Sequence, residues 1–193
     1  MLTIVQLWLP LLVAAVMVFV ASSLIHMVFK WHNADYLSLE NEDEVREVIR
    51  RRTPAPGQYV LPACKEMKDL QTPEMQKKFQ QGPVGFLILR PNEAPRIGAS
   101  LGQWFALNLL VAAITAHLAD DAFGRGAELH RVFYLTALTT FIAYAGGSLS
   151  NGIWRGVPWR GVAKDVLDAM IYAIVTGLSC GQSQPKLRPG TIA

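Results

Sequence analysis

An uncharged apolar run from Leu2 to Phe29 is the feature that most constrains the fold of this chain. It contains about 28 residues without Asp, Glu, Lys or Arg, and no basic residue precedes it. As a helix it would extend about 42 Å, against roughly 30 Å for the hydrocarbon core of a bilayer. A signal peptide carries a basic segment before a much shorter apolar core. The run therefore predicts a retained transmembrane helix over 1–29 that tilts or projects from the lipid.

Three further apolar segments follow, at about 100–118, 132–153 and 162–178. Charged residues make up 17% of the chain and apolar residues 51%, whereas soluble proteins carry roughly 25% charged residues. Helices satisfy their own backbone hydrogen bonds and can therefore cross a bilayer. The sequence thus predicts an all-α integral membrane protein with four transmembrane helices, the last three forming one region over 98–178. The tail 179–193 is predicted to be disordered because it contains Pro, Gly, Gln and Ser.

A polar insert over 30–97 separates the first two transmembrane helices and holds about twenty of the 33 charged residues. Its pattern predicts a surface helix ending at Arg50–Arg52, a short helix over 73–81, and short strands at 58–61 and 84–89. A two-stranded sheet alone is marginal in water. This small α+β insert is therefore expected to lean on the membrane helices, on a partner or on another copy of the chain.

The distribution of basic residues predicts the orientation. With four spans, the side that carries the insert holds 14 of the 18 Lys and Arg residues. The positive-inside rule then places the insert in the cytoplasm and both termini outside the cell membrane. Aromatic and Arg side chains near the span ends are expected to anchor the protein at the interface. These anchors are Trp31, Trp104, Trp154, Arg155, Trp159 and Arg160.

The third span carries one polar face at helical spacing. Its members are Thr136, Thr140, Tyr144, Ser148 and Asn151. Because lipid tails cannot bond hydroxyl and amide groups, this face is expected to turn toward other helices. Two interpretations remain open: interhelical packing, or the lining of a polar path for a solute.

Asp165, Asp168 and Tyr172 fall on one face at the start of the fourth span. Acidic residues within a span are costly and mark candidate functional sites. One interpretation is a structural ion-pair cluster with Lys164 and nearby arginines. The other is a proton or cation site at the cytoplasmic mouth of the helices, in which Asn151 joins Asp168.

Two other groups offer ligand atoms, and neither predicts a cofactor. His117, Asp120, Asp121 and His130, with Glu128, could hold a divalent cation, but their spacing matches no recognised metal motif. A bis-histidine haem is disfavoured because His26 and His32, six residues apart, do not share one face of an α-helix. His26 and His117 lie at opposite ends of their spans. No metal and no cofactor are therefore predicted.

Association is the function that the sequence favours first. Small-residue spacings at Gly98–Gly102 and Gly177–Gly181 allow close helix approach. They predict an accessory or assembly subunit, or a homo-oligomer, whose partners are the lipid bilayer and another membrane protein or a second copy. The alternative is a small-solute or ion (proton or cation) transporter or channel using the polar faces of the third and fourth spans. An enzyme ranks third for want of a catalytic constellation, and a net charge of +3 of locally mixed sign does not indicate a nucleic-acid partner.

Overall fold

The computed structural model describes residues 4–52, 55–124 and 127–182. In this part of the chain the α-helices are α1 (Ile4–Ser23), α2 (Glu42–Arg51), α3 (Pro73–Gln81), α4 (Ile97–Phe123), α5 (Leu129–Arg155) and α6 (Trp159–Gln182). The strands are β1 (Gly57–Leu61) and β2 (Gly85–Leu89). The chain divides into two compact units. A helical unit comprises Met1–Asp35, Arg96–Ile153 and Val157–Ala193, and an insert unit comprises Tyr36–Pro95 and Trp154–Gly156.

Three helical segments are long and apolar enough to cross a membrane. They are Trp8–Phe29, Ile97–Phe123 and Leu129–Arg155. The prediction of a helical membrane protein is supported at this level, but the described residues do not confirm the fourth span. α6 covers the predicted segment 162–178 and is 24 residues long. Its early Lys164, Asp165 and Asp168 make it more polar than the other three.

The core of the helical unit forms where α1 packs along both α4 and α6. Small residues allow this approach: Ala14 and Ala15 of α1 are fully buried, and Ala112 and Ala116 of α4 are almost so. Toward the other end of α1, Val18 packs in a cluster with Ile25 and Tyr172. In lipid, such close contact of small side chains is the main attraction between helices.

The two glycine pairs noted in the sequence have different surroundings. A methyl group at Gly177 would lie 2.8 Å from the Phe133 ring, and one at Gly181 would lie 2.8 Å from Leu129. This pair therefore lets α6 approach α5 within the chain. At Gly98 and Gly102 an added methyl group would meet nothing within 4 Å.

The insert unit contains the predicted strands and helices with small shifts at their ends. β1 and β2 pair antiparallel, with Tyr59 opposite Leu87 and Val60 opposite Phe86. α3 spans the predicted 73–81: Thr72 accepts a hydrogen bond from Met75 N at 3.4 Å, Pro73 opens the helix, and Gly82 follows it at φ +61°. These are the start and stop signals expected of a short helix.

The first residues of the predicted disordered tail 179–193 are helical in the structure. α6 continues to Gln182, four residues beyond the predicted span end. Cys180 in this extension is buried in the core with Leu11 and Ala14, which favours the continued helix. Residues 183–193, and residues 1–3 of the predicted first span, lie outside the described residues.

Candidate cation site

The end of α1 folds back on itself and brings two histidines together. The helix widens into a π-helical turn over Leu24–Phe29, in which Lys30 N donates to Ile25 O at 2.9 Å. Lys30 is left-handed at φ +53°, and a 3-10 turn follows over Trp31–Asp35. As a result the His26 and His32 rings stack, with centroids 4.9 Å apart and planes inclined by 10°. In a regular α-helix, the only case considered from the sequence, residues six apart do not share a face; the backbone reversal brings the two rings together by another route.

His32 lies between two carboxylates. Its Nδ1 is 3.1 Å from Asp35 Oδ2, and its Nε2 is 2.9 Å from Asp168 Oδ2. Asp165 Oδ1 lies 3.9 Å from His32 Nδ1. The local backbone reversal supplies the histidine and Asp35, and α6 supplies the other two acids. The ring thus connects the end of α1 to the beginning of α6.

His26 approaches the same carboxylate from the π-helical turn. Its Nε2 is 4.0 Å from Asp168 Oδ2, and its Nδ1 is 3.0 Å from the carbonyl oxygen of Ser22. A carbonyl oxygen can only accept, so this contact places a hydrogen on Nδ1 and directs Nε2 toward Asp168. The His26 side chain is 50% exposed, so this edge of the cluster is open.

Asp168 is the buried member of the cluster. Its side chain is only 7% exposed, and its Oδ1 has no hydrogen-bond partner among the described residues. Oδ2 faces both imidazoles. A buried carboxylate oxygen without a partner carries a desolvation cost that a cation nearby would offset.

Lys164 adds a positive charge to this cluster. Its Nζ donates to Asp35 Oδ1 at 2.6 Å and to the Trp31 carbonyl at 2.7 Å. The hydrogen bond and charge of Lys164, with a smaller contribution from His32, hold the pKa of Asp35 below its usual value. Of the predicted neutralising cations, Lys164 therefore takes this role, whereas Arg155 donates to Gln58 Oε1 at 3.2 Å.

The predicted polar face of α5 turns toward the other helices. Thr136 and Thr140 are fully buried, and the Thr136 hydroxyl donates to Val132 O at 2.7 Å, within its own helix. Tyr144 OH donates to Asn108 Oδ1 of α4 at 2.8 Å. Ser148 is half-buried. These side-chain contacts of the face thus lie within α5 and between α5 and α4.

An aromatic cluster accompanies this face. The ring of Tyr144 lies 5.3 Å from Tyr172 and 5.7 Å from Trp104, measured between centroids. Trp104, one of the predicted interfacial anchors, thus packs against two tyrosine rings. Trp154 and Trp159, two further predicted anchors, are exposed.

Asn151, the predicted companion of Asp168, is half-buried, and its backbone takes part in the turn that follows α5. Its carbonyl oxygen accepts a hydrogen bond from Val157 N at 3.4 Å, in the turn between α5 and α6. The His residues that accompany Asp168 come from the end of α1. The one cue for them in the sequence was two histidines close to a predicted span end.

The histidine and acidic side chains at the end of α4 and the beginning of α5, the metal candidates considered from the sequence, do not gather in one site. His117 Nε2 pairs with Asp121 Oδ2 at 3.7 Å, and His130 Nε2 pairs with Glu128 Oε2 at 3.7 Å. Both histidines are exposed, whereas Asp120 is buried.

A different set of side chains brings its ligand atoms together. Within the described residues, the group of three His, Cys or carboxylate ligands whose donor atoms lie within 4.8 Å of one another is His26, His32 and Asp168. The metal candidates that the sequence offered are therefore not the residues that cluster.

Comparison of the chain with protein-family models, with curated proteins and with solved structures finds no match.

Proposed function

We propose that this chain is a multi-pass membrane protein that takes up a cation, a proton or a metal ion, at the cluster of His26, His32 and Asp168. Cation transport is the process that such a site would serve in a membrane helix bundle. The sequence favours association first, and the clustering of these three side chains reverses that order. The basic-residue distribution assigns this end of the bundle to the cytoplasm.

One contact carries this proposal, the 2.9 Å approach of His32 Nε2 to Asp168 Oδ2. The opposite ring nitrogen faces Asp35, which as a carboxylate accepts the Nδ1 hydrogen. A neutral His32 would then place its Nε2 lone pair against a negative oxygen. A positive charge held at Nε2 removes this repulsion, whether it is a proton on the imidazole or a metal ion.

The charges around the ring support the same conclusion. Asp35 and Asp165 lie near His32 Nδ1, and Asp168 lies near Nε2. Lys164 forms an ion pair with Asp35. The single positive charge of Lys164 offsets only one of the three carboxylates, so negative charge remains beside the buried Asp168. Intramembrane or membrane-edge acids of this kind commonly lie on ion paths.

A flux assay tests the proposal. The purified protein is reconstituted into liposomes that contain a pH-sensitive or a Zn²⁺-sensitive dye, and a gradient of the corresponding cation is applied. Flux of one cation above that of protein-free vesicles is expected, and Asp168→Asn should abolish it. Asp121→Asn, an exposed acid at the other end of α4, serves as the matched control and should leave it unchanged. Transport would be refuted if neither dye reports flux, or if Asp168→Asn and Asp121→Asn give equal flux.

A second candidate function, association with another membrane protein or with a second copy, is favoured by the open pair Gly98 and Gly102. A methyl group at either position would meet nothing within 4 Å, whereas Phe133 and Leu129 of the same chain already occupy the space beside Gly177 and Gly181. A second helix could approach closely at this open pair. Gly102→Ile should therefore release whatever co-purifies in mild detergent, or dissociate an oligomer, and the neighbouring Leu101→Ile should not. An unchanged native mass for Gly102→Ile would contradict this candidate.

A further inference from the structure

We propose that His26 Nε2, His32 Nε2 and the Asp168 carboxylate form a binding site for a divalent first-row transition metal ion of the Zn²⁺ type. This inference rests on the proposed function and names the cation that the cluster takes. The donor atoms of the three side chains lie within 4.8 Å of one another. Two imidazoles and one carboxylate form a donor set that suits Zn²⁺ and its neighbours, and not Mg²⁺ or Ca²⁺, which prefer oxygen.

The ligands are held by a second layer of hydrogen bonds. His26 Nδ1 donates to the Ser22 carbonyl at 3.0 Å, and His32 Nδ1 donates to Asp35 Oδ2 at 3.1 Å. Asp35 is in turn fixed by Lys164 at 2.6 Å. Both histidines thereby present their Nε2 atoms to Asp168. A carboxylate–histidine pair behind the ligating nitrogen is the usual support of metal-bound imidazoles.

The buried carboxylate gives an independent indication of a ligand. The Asp168 side chain is only 7% exposed, and its Oδ1 has no hydrogen-bond partner among the described residues. Its other oxygen already faces both imidazoles. A metal ion between Oδ2 and the two rings would offset the charge of this buried carboxylate. It would also separate the His32 lone pair from Asp168.

The geometry needs one small adjustment. Zn–N bonds of about 2.1 Å in a tetrahedron place ligand atoms about 3.4 Å apart. The His32–Asp168 pair is closer than this, at 2.9 Å, and the His26–Asp168 pair is wider, at 4.0 Å. Because the His26 side chain is half exposed, it can move toward the ion. The open side at His26 also leaves room for a water molecule as a fourth ligand.

Zinc binding to the purified full-length protein in detergent tests the assignment. The protein is stripped with a chelator and titrated with Zn²⁺ against a chromophoric competitor, in the presence of excess Mg²⁺. One Zn²⁺ per chain is expected. His32→Gln and Asp168→Asn should lose this stoichiometric binding, and Asp35→Asn should weaken it by about 10–100-fold through the second layer. His117→Ala is the matched control and should bind as the unmodified chain does.

Two measurements keep the test decisive where a variant fails to fold. His26→Gln changes a half-exposed side chain, so it should retain the fold and still weaken Zn²⁺ binding. Co²⁺ in place of Zn²⁺ should give the visible absorption of a four-coordinate site, altered in His26→Gln. Binding that is absent, that Mg²⁺ abolishes, or that disappears in His117→Ala overturns the assignment.

The outcome also separates this inference from the proposed function. If the protein binds no Zn²⁺ but proton flux depends on Asp168, the metal assignment fails and cation transport stands. If Zn²⁺ binds through these residues and no flux is found, the metal site stands and transport fails.

Discussion

His26 and His32 stack face to face with ring centroids 4.9 Å apart, although a left-handed residue and a change of helix type lie between them. The stacking follows from the path of the backbone, since the π-helical turn and Lys30 return the chain over the end of α1. π-helical turns are rare in proteins, and those that occur often lie at functional sites. Here the turn brings two imidazoles to Asp168, a buried acid that α6 supplies.

Zn²⁺ should stabilise the protein, and only through this cluster. A ligand at 100 times its dissociation constant adds about 2.7 kcal/mol to the free energy of unfolding of a protein that binds it in the folded state alone. Thermal unfolding in detergent, followed by tryptophan fluorescence, should therefore shift upward with Zn²⁺ for the unmodified chain. Asp168→Asn should show no shift. A shift of equal size in both proteins would place the bound metal elsewhere.

Gly177 should tolerate alanine less well than Gly181. A methyl group at Gly177 meets the Phe133 ring at 2.8 Å and the Phe133 backbone oxygen at 3.1 Å, whereas at Gly181 the closest atom is the tip of the Leu129 side chain. Backbone cannot move aside as a side-chain tip can. Gly177→Ala should lower the free energy of unfolding by about 1–3 kcal/mol, and Gly181→Ala by less.

Gly102→Ala is the control for this pair, because a methyl group there meets nothing within 4 Å. Its unfolding in a denaturing detergent should match that of the unmodified chain. Equal stabilities for Gly177→Ala and Gly102→Ala would show that α5 and α6 do not pack at Gly177.

The hydrogen bond from Tyr144 to Asn108 should contribute a modest, measurable amount. Asn108 is buried, and its Oδ1 accepts from Tyr144 OH at 2.8 Å. Interhelical hydrogen bonds measured by double-mutant cycles in a membrane protein average about 0.6 kcal/mol. Tyr144→Phe and Asn108→Leu are each compared with the double variant by detergent unfolding. A coupling energy of about 0.6–1.7 kcal/mol is expected, and a coupling of zero would contradict the bond.

How far the sequence predicts this protein depends on whether the determining contacts are local. The bounds of α3 are predicted to the residue because Thr72, Pro73 and Gly82 act within one turn of its ends. β1 and β2 are likewise predicted from short apolar runs. These signals depend on neighbours in the chain, so a single sequence contains them.

The proposed cation site could be predicted only in part from the sequence. Asp165 and Asp168 stand out in the sequence because acids are unusual in an apolar segment. Their histidine partners were missed since a helical spacing rule cannot foresee a π-helical turn followed by a left-handed Lys30. Which of the two glycine pairs packs inside the chain also depends on the neighbouring helix, which spacing alone does not reveal.

The pKa of Glu74 tests whether α3 is helical in the full chain. Lys78, one turn later, donates to Glu74 Oε1 at 2.7 Å and, by that hydrogen bond and its charge, lowers the pKa of Glu74 below its ordinary value of 4.5. Since the pKa is lowered on folding, the pair stabilises α3 above the unfolded pKa. This contribution is lost as the pH falls through the lower, folded pKa.

NMR titration of the Glu74 side chain measures this directly. Lys78→Gln should raise the pKa of Glu74 toward 4.5. Lys68→Gln removes a lysine that pairs with Glu66 outside α3, and it should leave the pKa of Glu74 almost unchanged. Equal effects of the two substitutions would contradict a helical α3.

The left-handed backbone at Lys30 should decide whether the two histidines meet. At φ +53° a glycine is unstrained, lysine is tolerated at a cost, and a β-branched residue is strongly disfavoured. Lys30→Gly should therefore leave the protein as stable or up to about 1 kcal/mol more stable. Lys30→Val should disturb the reversal, separate His26 from His32, and weaken Zn²⁺ binding while the spans still form. Circular dichroism and the Zn²⁺ titration together check this, and equally tight Zn²⁺ binding by the Lys30→Val and Lys30→Gly variants would show that the turn does not position the site.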